Sequence, residues 1–155
     1  MQQIRTFLWF NNQAEEAANY YVSIFKDAKI DRVIRIPGGP GGETVVVEFT
    51  LFDKQYIALD GGPGNPFTDA VSLFVTCKDQ REVDNYWSKL TSGGGSEGPC
   101  GWLKDKYGLS WQIVPEKMME MYADKDKKRA ERAMTAMMKM KKIELSKIEE
   151  AFNSK

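Results

Sequence analysis

The stretch from Pro99 to Pro115, P-C-G-W-L-K-D-K-Y-G-L-S-W-Q-I-V-P, contains two strand-like runs separated by a polar, glycine-containing turn. Such a pattern predicts a β-hairpin. Because side chains alternate between the two faces of a strand, Cys100, Trp102 and Lys104 are predicted to share one face of the first strand. The rest of the chain is interpreted outward from this hairpin.

On the second strand of the hairpin, the same alternation places Ser110 and Gln112 on one face. Trp111 and Ile113 then point the other way, towards helices. A large aromatic side chain near a thiol and an amide is typical of a small-molecule cavity, which has a few polar groups on apolar walls. The alternative interpretation makes Trp102 an ordinary core residue.

Two segments of the chain repeat the order strand, helix, strand, strand, strand. In residues 1–62, strands are predicted at 4–10, 29–36, 44–51 and 55–59, with a helix that starts at Asn12 with the spacing of a capping box. Residues 68–115 contain a strand at 71–77, a helix capped by Asp79 and the hairpin. The helical letters match as well, E-A-A-N-Y-Y at 16–21 and E-V-D-N-Y-W at 82–87. We therefore predict a single α+β domain of two βαβββ modules whose sheets enclose a cavity.

Residues 116–155 are predicted to form a helical extension. Apolar residues recur there with helical spacing, at Ala130, Ala133, Met134, Met137 and Met138. Such a stripe more often packs on its own protein or on a twin subunit than it binds another protein. A partner-binding module built on this stripe stays open as an alternative.

Composition excludes several classes of function. The chain has no histidine, which excludes Ser-His-Asp and Cys-His catalysis and every His-ligated metal centre. Lys plus Arg equals Asp plus Glu at 22 each, so no net charge attracts the protein to nucleic acid or to an anionic membrane. No apolar run approaches the roughly 18 residues that span a bilayer. The N-terminal letters lead into a strand and not into a signal sequence, so a cytoplasmic protein is expected.

The two cysteines, Cys77 and Cys100, are too few for a four-thiolate metal site. In a cytoplasmic protein they are expected to be reduced and partly buried. The glycine-rich loops at 37–42 and 61–64 run into strands, whereas a phosphate-binding loop must lead into a helix N-terminus. Both loops are therefore predicted to be turns, and no nucleotide or methyl-donor cradle is expected.

Acid–base or nucleophilic chemistry remains possible at three residues. Asp60 ends an apolar strand, and Glu48 alternates with apolar neighbours; a turn cap and an outward-facing carboxylate are the simpler interpretations. Cys100 would need Lys104, a backbone dipole or a bound ligand to activate its thiolate. Whether the protein is an enzyme is left open by these residues.

Four motifs resemble one family: F-L-W-F-N-N-Q-A-E-E-A at 7–17, D-G-G-P at 60–63, A-V-S-L-F-V-T-C at 70–77 and C-G-W-L-K-D-K-Y-G-L-S-W-Q-I-V-P at 100–115. The chain is similar to the PhnB-like branch of the glyoxalase/bleomycin-resistance/dioxygenase (vicinal oxygen chelate) superfamily, which carries the name 3-demethylubiquinone-9 3-methyltransferase. The resemblance covers essentially the whole chain. It implies paired βαβββ modules forming a cup, assembled as a homodimer.

The resemblance also implies site positions. Metal-dependent members of the superfamily place His or Glu ligands at positions that match Thr6, Val71 and Gln112, so an empty metal site and no cofactor are expected here. In the similar fosfomycin-resistance enzymes, the positions matching Tyr56, Cys100 and Trp102 line the substrate cavity.

Together, these observations favour a metal-independent small-molecule-binding protein. Its ligand is expected to contact Tyr56, Phe49, Cys100, Trp102 and Gln112. The alternative is an enzyme that acts on an aromatic or quinone-like substrate through Asp60, Glu48 or Cys100.

Overall fold

The computed structural model of the protein describes residues 2–39 and 41–154. The chain forms two compact units that meet in sequence between Pro66 and Phe67. Each unit contains a mixed four-stranded sheet, and the described residues form five α-helices. The α+β class and the two βαβββ modules predicted from the sequence are confirmed.

The first unit is a βαβββ module. Its elements are β1 (Thr6–Phe10), α1 (Ala14–Ile24), β2 (Ala28–Pro37), β3 (Glu43–Leu51) and β4 (Lys54–Asp60). The strand order is β1-β4-β3-β2, with β1 parallel to β4 and the other pairs antiparallel. Leu8, Ala58 and Val47 lie side by side in this register and are buried. Helix α1 packs on the sheet with Ala14, Ala17, Ala18 and Tyr21 buried.

The predicted capping box of α1 is wrong. Asn12 has a left-handed backbone with φ 57°, and the helix begins one residue later than expected, after Gln13, whose side chain makes no capping hydrogen bond. The free N–H of Ala14 instead donates to Oδ1 of Asp60 at 2.7 Å. The carboxylate of Asp60, at the end of β4, therefore caps α1, whereas the sequence spacing predicts Asn12 as the cap.

The second unit repeats the module and extends it. Its elements are β5 (Ser72–Cys77), α2 (Gln80–Thr91), β6 (Ser96–Glu97), β7 (Trp102–Lys104) and β8 (Ser110–Pro115). The strand order is β5-β8-β7-β6, with β5 parallel to β8. The predicted cap of α2 is confirmed, since the N–H of Glu82 donates to Oδ1 of Asp79 at 2.9 Å. Helix α2 buries Val83, Tyr86, Trp87 and Leu90.

Three helices follow β8: α3 (Glu116–Tyr122), α4 (Lys127–Met137) and α5 (Leu145–Asn153). They share an apolar cluster with the end of β8, made of Val114, Met118, Met121, Ala133, Met137, Ile143, Ile148 and Phe152. Arg129 and Arg132 of α4 donate to the carbonyl of Phe152, near the C-terminal end of α5. No helix in the described residues is long and apolar enough to cross a membrane.

The methionine stripe of α4 is divided between two environments. Ala133 and Met137 are buried in the subunit's own apolar cluster. Met134 and Met138 are 40% and 65% exposed. Intramolecular packing therefore accounts for one side of the stripe, and the partner-binding alternative is limited to the other side.

Candidate functional site

The hairpin of β7 and β8 defines two faces of the second sheet. Trp102 lies opposite Gln112, and Lys104 lies opposite Ser110, so these four side chains share one face, as alternation predicts. Trp111 lies opposite Leu103 on the other face and is 2% exposed. Lys104 is exposed and Trp102 and Gln112 are partly exposed, although Ser110 is buried, so the Trp102 face is the open one.

A cavity of about 470 Å³ lies at this open face. Its lining is formed by Asp69, Ser96, Glu97, Gly98, Pro99, Trp102, Leu103, Lys104 and Ser110. The Trp102 side chain is half-buried, so part of the indole remains available for contact. The volume is within the range of small-molecule sites.

One polar group of the cavity is an ionised carboxylate. Oδ1 of Asp69 accepts a hydrogen bond from Oγ of Ser110 at 2.8 Å and pairs with Nζ of Lys104 at 3.1 Å. The hydrogen bond from Ser110, followed by that from Lys104, lowers the pKa of Asp69 below its usual range. The cavity therefore offers a fixed anionic acceptor and an ammonium donor beside an aromatic wall.

Sequence reasoning missed Asp69, Ser96 and Glu97. Asp69 lies in a short stretch between modules where no periodicity singles it out. It reaches Ser110 because β5 pairs in parallel with β8, so the segment that precedes β5 lies near Ser110, the first residue of β8. Glu97 lies on the two-residue strand β6 and accepts a hydrogen bond from Nε1 of Trp87 at 2.8 Å. Neither contact has a local signal in the sequence.

Gln112 neighbours Trp102 in the sheet but is not part of the cavity lining. Its Nε2 donates to Oγ of Ser72 at 2.9 Å, which joins β8 to β5. Phe74 also lies opposite Gln112 and is 49% exposed. Gln112 is thus held in place on the open face by a hydrogen bond within the sheet.

Cys100 lies in the turn before β7, with a left-handed backbone at φ 59°. The half-buried side chain packs against the apolar cluster of the C-terminal helices, next to Tyr122. The cavity at Trp102 does not include it. The hydroxyl of Tyr122 is buried without a hydrogen-bond partner, and burial, with a smaller contribution from Cys100, raises its pKa to about 12.

Cys77, the second cysteine, is fully buried at the end of β5. Burial, reinforced by the negative charges of Glu82 and Asp79, raises the pKa of its thiol to about 12. Neither cysteine forms a disulfide. Cys77 therefore remains a neutral thiol at physiological pH and serves as a small apolar core residue.

The structure places Phe49 and Tyr56 on the helix-covered face of the first sheet. Phe49 is 0% exposed, and its ring stacks between Tyr21 of α1 and Tyr56, with centroids 6.1 and 5.3 Å away. Burial is the main cause that raises the pKa of Tyr56. The stacked rings of these two residues belong to the core beneath α1, and Trp102 lies in the other unit.

Glu48 points to the opposite, open face of the first sheet, where two arginines hold it. Arg5 donates to Oε1 at 3.0 Å, and Nε of Arg32 donates to Oε2 at 2.9 Å. The hydrogen bond from Arg5 is the main cause that lowers the pKa of Glu48. The hydrogen bond from Arg32 and the charge of that guanidinium lower it further. A general base near neutral pH needs a raised pKa, so this carboxylate is poorly suited to that role.

Replacing Glu48 with glutamine is expected to lower stability at neutral pH, because both arginines lose their anion. A carboxylate with a depressed pKa stabilises the folded state above its unfolded pKa, about 4.3 for glutamate, and loses that contribution as the pH falls through the folded pKa. The difference in urea midpoint between wild type and Glu48→Gln should therefore shrink between pH 7 and pH 3. A difference that is constant over this range would contradict the proposed charge pairing.

Asp60 has a structural partner. Its carboxylate accepts the N–H of Ala14 at the positive end of α1, the position at which an anion stabilises a helix. The next residue, Gly61, packs directly against the indole of Trp9, whose Nε1 donates to the carbonyl of Gly62 at 2.9 Å. The D-G-G-P motif therefore closes the first module around Trp9.

The metal-binding positions implied by the superfamily do not form a ligand set in this chain. Thr6 pairs with Tyr56 in the first unit, and Val71 precedes β5 in the second with 64% exposure. Among residues 2–39 and 41–154, no three His, Cys, Asp or Glu side chains lie together in a way that could hold a metal ion. Thr6, Val71 and Gln112 offer a hydroxyl, a hydrocarbon and an amide at these positions, where metal-dependent members of the superfamily are expected to carry His or Glu.

The glycine-rich loops do not fit a methyl-donor cradle either. The loop after β2 leads into β3, and the loop after β4 leads towards β5. Neither loop precedes a helix N-terminus, where backbone N–H groups could bind an anionic group. As predicted, the described residues of both loops connect strands; residue 40 of the first loop lies outside the described residues.

Comparisons with known proteins place this architecture in a family. The family model described as 3-demethylubiquinone-9 3-methyltransferase matches residues 2–114. A solved structure from Bacillus cereus, described as a putative 3-demethylubiquinone-9 3-methyltransferase and PhnB protein, is 37% identical, with a TM-score of 0.65. The match covers 74% of this chain and 99% of that one.

A second solved structure supports the fold alone. It is a protein from Pseudomonas aeruginosa that is 17% identical, with a TM-score of 0.65, and the match covers 75% of this chain and 98% of that one. No curated protein matches the chain. The family match ends at residue 114, so helices α3 to α5 lie beyond it. The resemblance noted in the motifs is confirmed: the chain belongs to the PhnB-like 3-demethylubiquinone-9 3-methyltransferase family.

Proposed function

We propose that the protein binds a small molecule without a metal ion, in the cavity at Trp102. The observation that carries this proposal is the half-buried indole of Trp102 at a cavity of about 470 Å³. Small-molecule sites combine apolar or aromatic walls with a few polar groups that fix orientation. Here the indole and Pro99 provide the apolar wall, while Asp69, Lys104 and Ser110 provide the polar groups.

The ligand that suits this cavity has a flat apolar part and at least one polar substituent. A planar ring gains area burial and stacking energy on an indole. A hydroxyl or amine on the ring would donate to the Asp69 carboxylate, and a carbonyl or carboxylate would accept from Lys104. Of the ligand-contacting residues expected from the sequence, Trp102 lines the proposed site and Gln112 neighbours it in the sheet. Tyr56 and Phe49 stack on each other in the first unit, and Cys100 packs against the C-terminal helices.

Thermal-shift screening with a library of small aromatic compounds tests the proposal. Compounds that stabilise the wild type should lose at least about tenfold in affinity against Trp102→Ala, since a buried aromatic contact contributes on the order of 1.4 kcal/mol or more. Phe52→Ala is the matched control, because Phe52 is a 44% exposed aromatic side chain that does not line the cavity. Compounds that raise the melting temperature of both variants and of the wild type equally would contradict the proposed site.

Metal independence follows from the same proposal and has its own test. Its support is the donor set, which offers no histidine and no group of three suitable ligands among the described residues. Elemental analysis of the purified protein should find no stoichiometric divalent ion. One tightly held ion per chain, retained through dialysis against a chelator, would overturn this part.

We further propose that the protein is a cytoplasmic homodimer. Each unit exposes large apolar side chains on its strands, with Phe7 and Phe74 at 53% and 49% exposure, and such patches favour a covering surface. The free cysteines suit a reducing compartment. Sedimentation equilibrium should give twice the chain mass at micromolar concentration. A monomer up to about 100 μM would contradict the dimer, since specific dimers normally bind more tightly than that.

The alternative is an enzyme acting on an aromatic or quinone-like substrate, and the observation that favours it is the family's description as a methyltransferase of 3-demethylubiquinone. Of the three candidate residues, Glu48 is paired with arginines and Asp60 caps α1, which leaves Cys100. Incubation of a demethylated quinol with a methyl donor, followed by mass spectrometry, would detect transfer. Turnover that Cys100→Ala abolishes would favour the enzyme over the binding protein.

A further inference from the structure

The connection between α4 and α5 is held against the turn that enters β7. We call residues 140–145, which run from this connection into the first residue of α5, the clasp. The N–H of Cys100 donates to the carbonyl of Met140 at 2.8 Å, and the N–H of Gly101 donates to the carbonyl of Lys141 at 2.7 Å. The clasp and the turn are therefore joined by two backbone hydrogen bonds, both donated by the left-handed turn.

A single side chain of α2 holds the other end of the clasp. Nε2 of Gln80 donates to the carbonyl of Ile143 at 2.9 Å, and its Oε1 accepts the N–H of Leu145 at 2.8 Å. The side chain of Ile143 is 0% exposed. Lys142 adds an ion pair with Asp84, at 2.6 Å, on the same helix. Release of Gln80 would leave two backbone groups near the core without their partner.

The turn itself has a conformation that needs support. Cys100 and Gly101 are consecutive left-handed residues, with φ 59° and 82°, and this conformation is disfavoured for cysteine. The carbonyl of Gly101 accepts the N–H of Ile113, which ties the turn to β8 at 2.9 Å. A Cβ at Gly101 would lie 3.1 Å from Cγ1 of Ile143, so the clasp packs directly on the glycine. The turn is thus held between the sheet and the clasp.

The same turn forms one wall of the cavity through Gly98, Pro99 and Trp102. We propose that the clasp is a positioning element for this cavity and that Gln80 is its positioning residue. The docked clasp keeps the turn, and with it the indole of Trp102, in the conformation that lines the cavity. The effect of the clasp on ligand binding rests on the proposed function. Because the family match ends at residue 114, the clasp adds residues outside that match to those that shape the site.

The test uses the full chain labelled with 5-fluorotryptophan and observed by fluorine NMR, with the Trp102 signal assigned by Trp102→Phe. In Gln80→Ala, the Trp102 signal should shift or broaden, while the signal of Trp9, in the other unit, stays unchanged. Hydrogen exchange at the amides of Cys100 and Gly101 should become about tenfold faster, because their acceptors are released. Arg81→Ala is the matched control, because Arg81 is the next residue of α2, is exposed and pairs with Asp79.

Faster exchange at Leu145 with an unchanged Trp102 signal and unchanged exchange at Cys100 and Gly101 would overturn the proposal. If Gln80→Ala does not fold, Asp84→Asn removes the Lys142 ion pair and weakens the clasp more mildly; it should give the same changes at smaller amplitude, and an unchanged Trp102 signal there would equally refute the role. No ligand enters these measurements. A protein that binds no small molecule would still show the coupling, so failure of the proposed function and failure of this inference are distinguishable.

Discussion

Replacement of Asp105 with alanine is expected to lower the free energy of unfolding by about 3–5 kcal/mol, since buried hydrogen-bonded groups left without a partner are among the costliest changes in a protein. Asp105 is 2% exposed in the turn between β7 and β8. Its Oδ1 accepts the N–H groups of Tyr107 and Leu109, and its Oδ2 accepts Nε1 of Trp111 at 2.9 Å. Alanine would leave these donors without their acceptor inside the core.

Chemical denaturation in urea, followed by circular dichroism, measures the effect. Asp53→Ala is the matched control, because Asp53 occupies the turn of the other β-hairpin. Its side chain is 80% exposed and forms an ion pair with its neighbour Lys54 at 3.0 Å. Surface changes of this type alter stability by about 0.5 kcal/mol or less. Comparable losses in both variants would show that Asp105 acts as an ordinary turn residue.

The second large effect is expected at Gly95, where alanine should cost about 3 kcal/mol or more, at the upper end of the cost of overpacking. A Cβ on Gly95 would lie 2.5 Å from the carbonyl oxygen of Leu90, 2.7 Å from that of Lys104 and 2.8 Å from Cα of Thr91. All three are backbone atoms, so no side chain can rotate away. Accommodation would require α2 and β7 to move apart.

Gly93→Ala is the control in the same glycine run. Gly93 has φ 67° and ψ 20°, a left-handed conformation that costs an L-residue about 1–2 kcal/mol. Its Cβ would meet only the flexible side chain of Lys106, at 3.8 Å. In thermal unfolding, the melting temperature of Gly95→Ala should therefore lie well below that of Gly93→Ala. The reverse order would contradict the packing argument.

Much of the architecture could be predicted because its signals are local. Alternation in the hairpin predicts one face for Trp102 and Lys104 and one for Ser110 and Gln112, and the sheet register brings these together. Cys100, predicted on the face of Trp102, instead lies in a left-handed turn that breaks the alternation and packs against the C-terminal helices. The two βαβββ modules were visible in the order of apolar periodicities and glycine-rich breaks. These patterns act over a few residues, so they are readable without knowledge of distant contacts.

The site was less predictable because burial is decided between elements. Alternation separates the two faces of β3 and β4, but it does not say which face a helix covers. Phe49 and Tyr56 were expected to contact a ligand, and the structure stacks them under Tyr21 of α1. Asp60 was a candidate acid or base, and the structure uses it to cap α1.

The fold class, the repeat, the family and the face on which Trp102 lies could be predicted because they depend on period, turn chemistry and motif, which are local properties of the chain. Which polar groups line the cavity beside Trp102 depends on contacts between distant elements. Asp69 reaches Ser110 across 41 positions, and Gln80 of α2 reaches the carbonyl of Ile143 across 63. The pairing of β5 with β8 and the docking of the clasp on α2 bring these groups together, and such contacts follow from the packing of whole elements on one another.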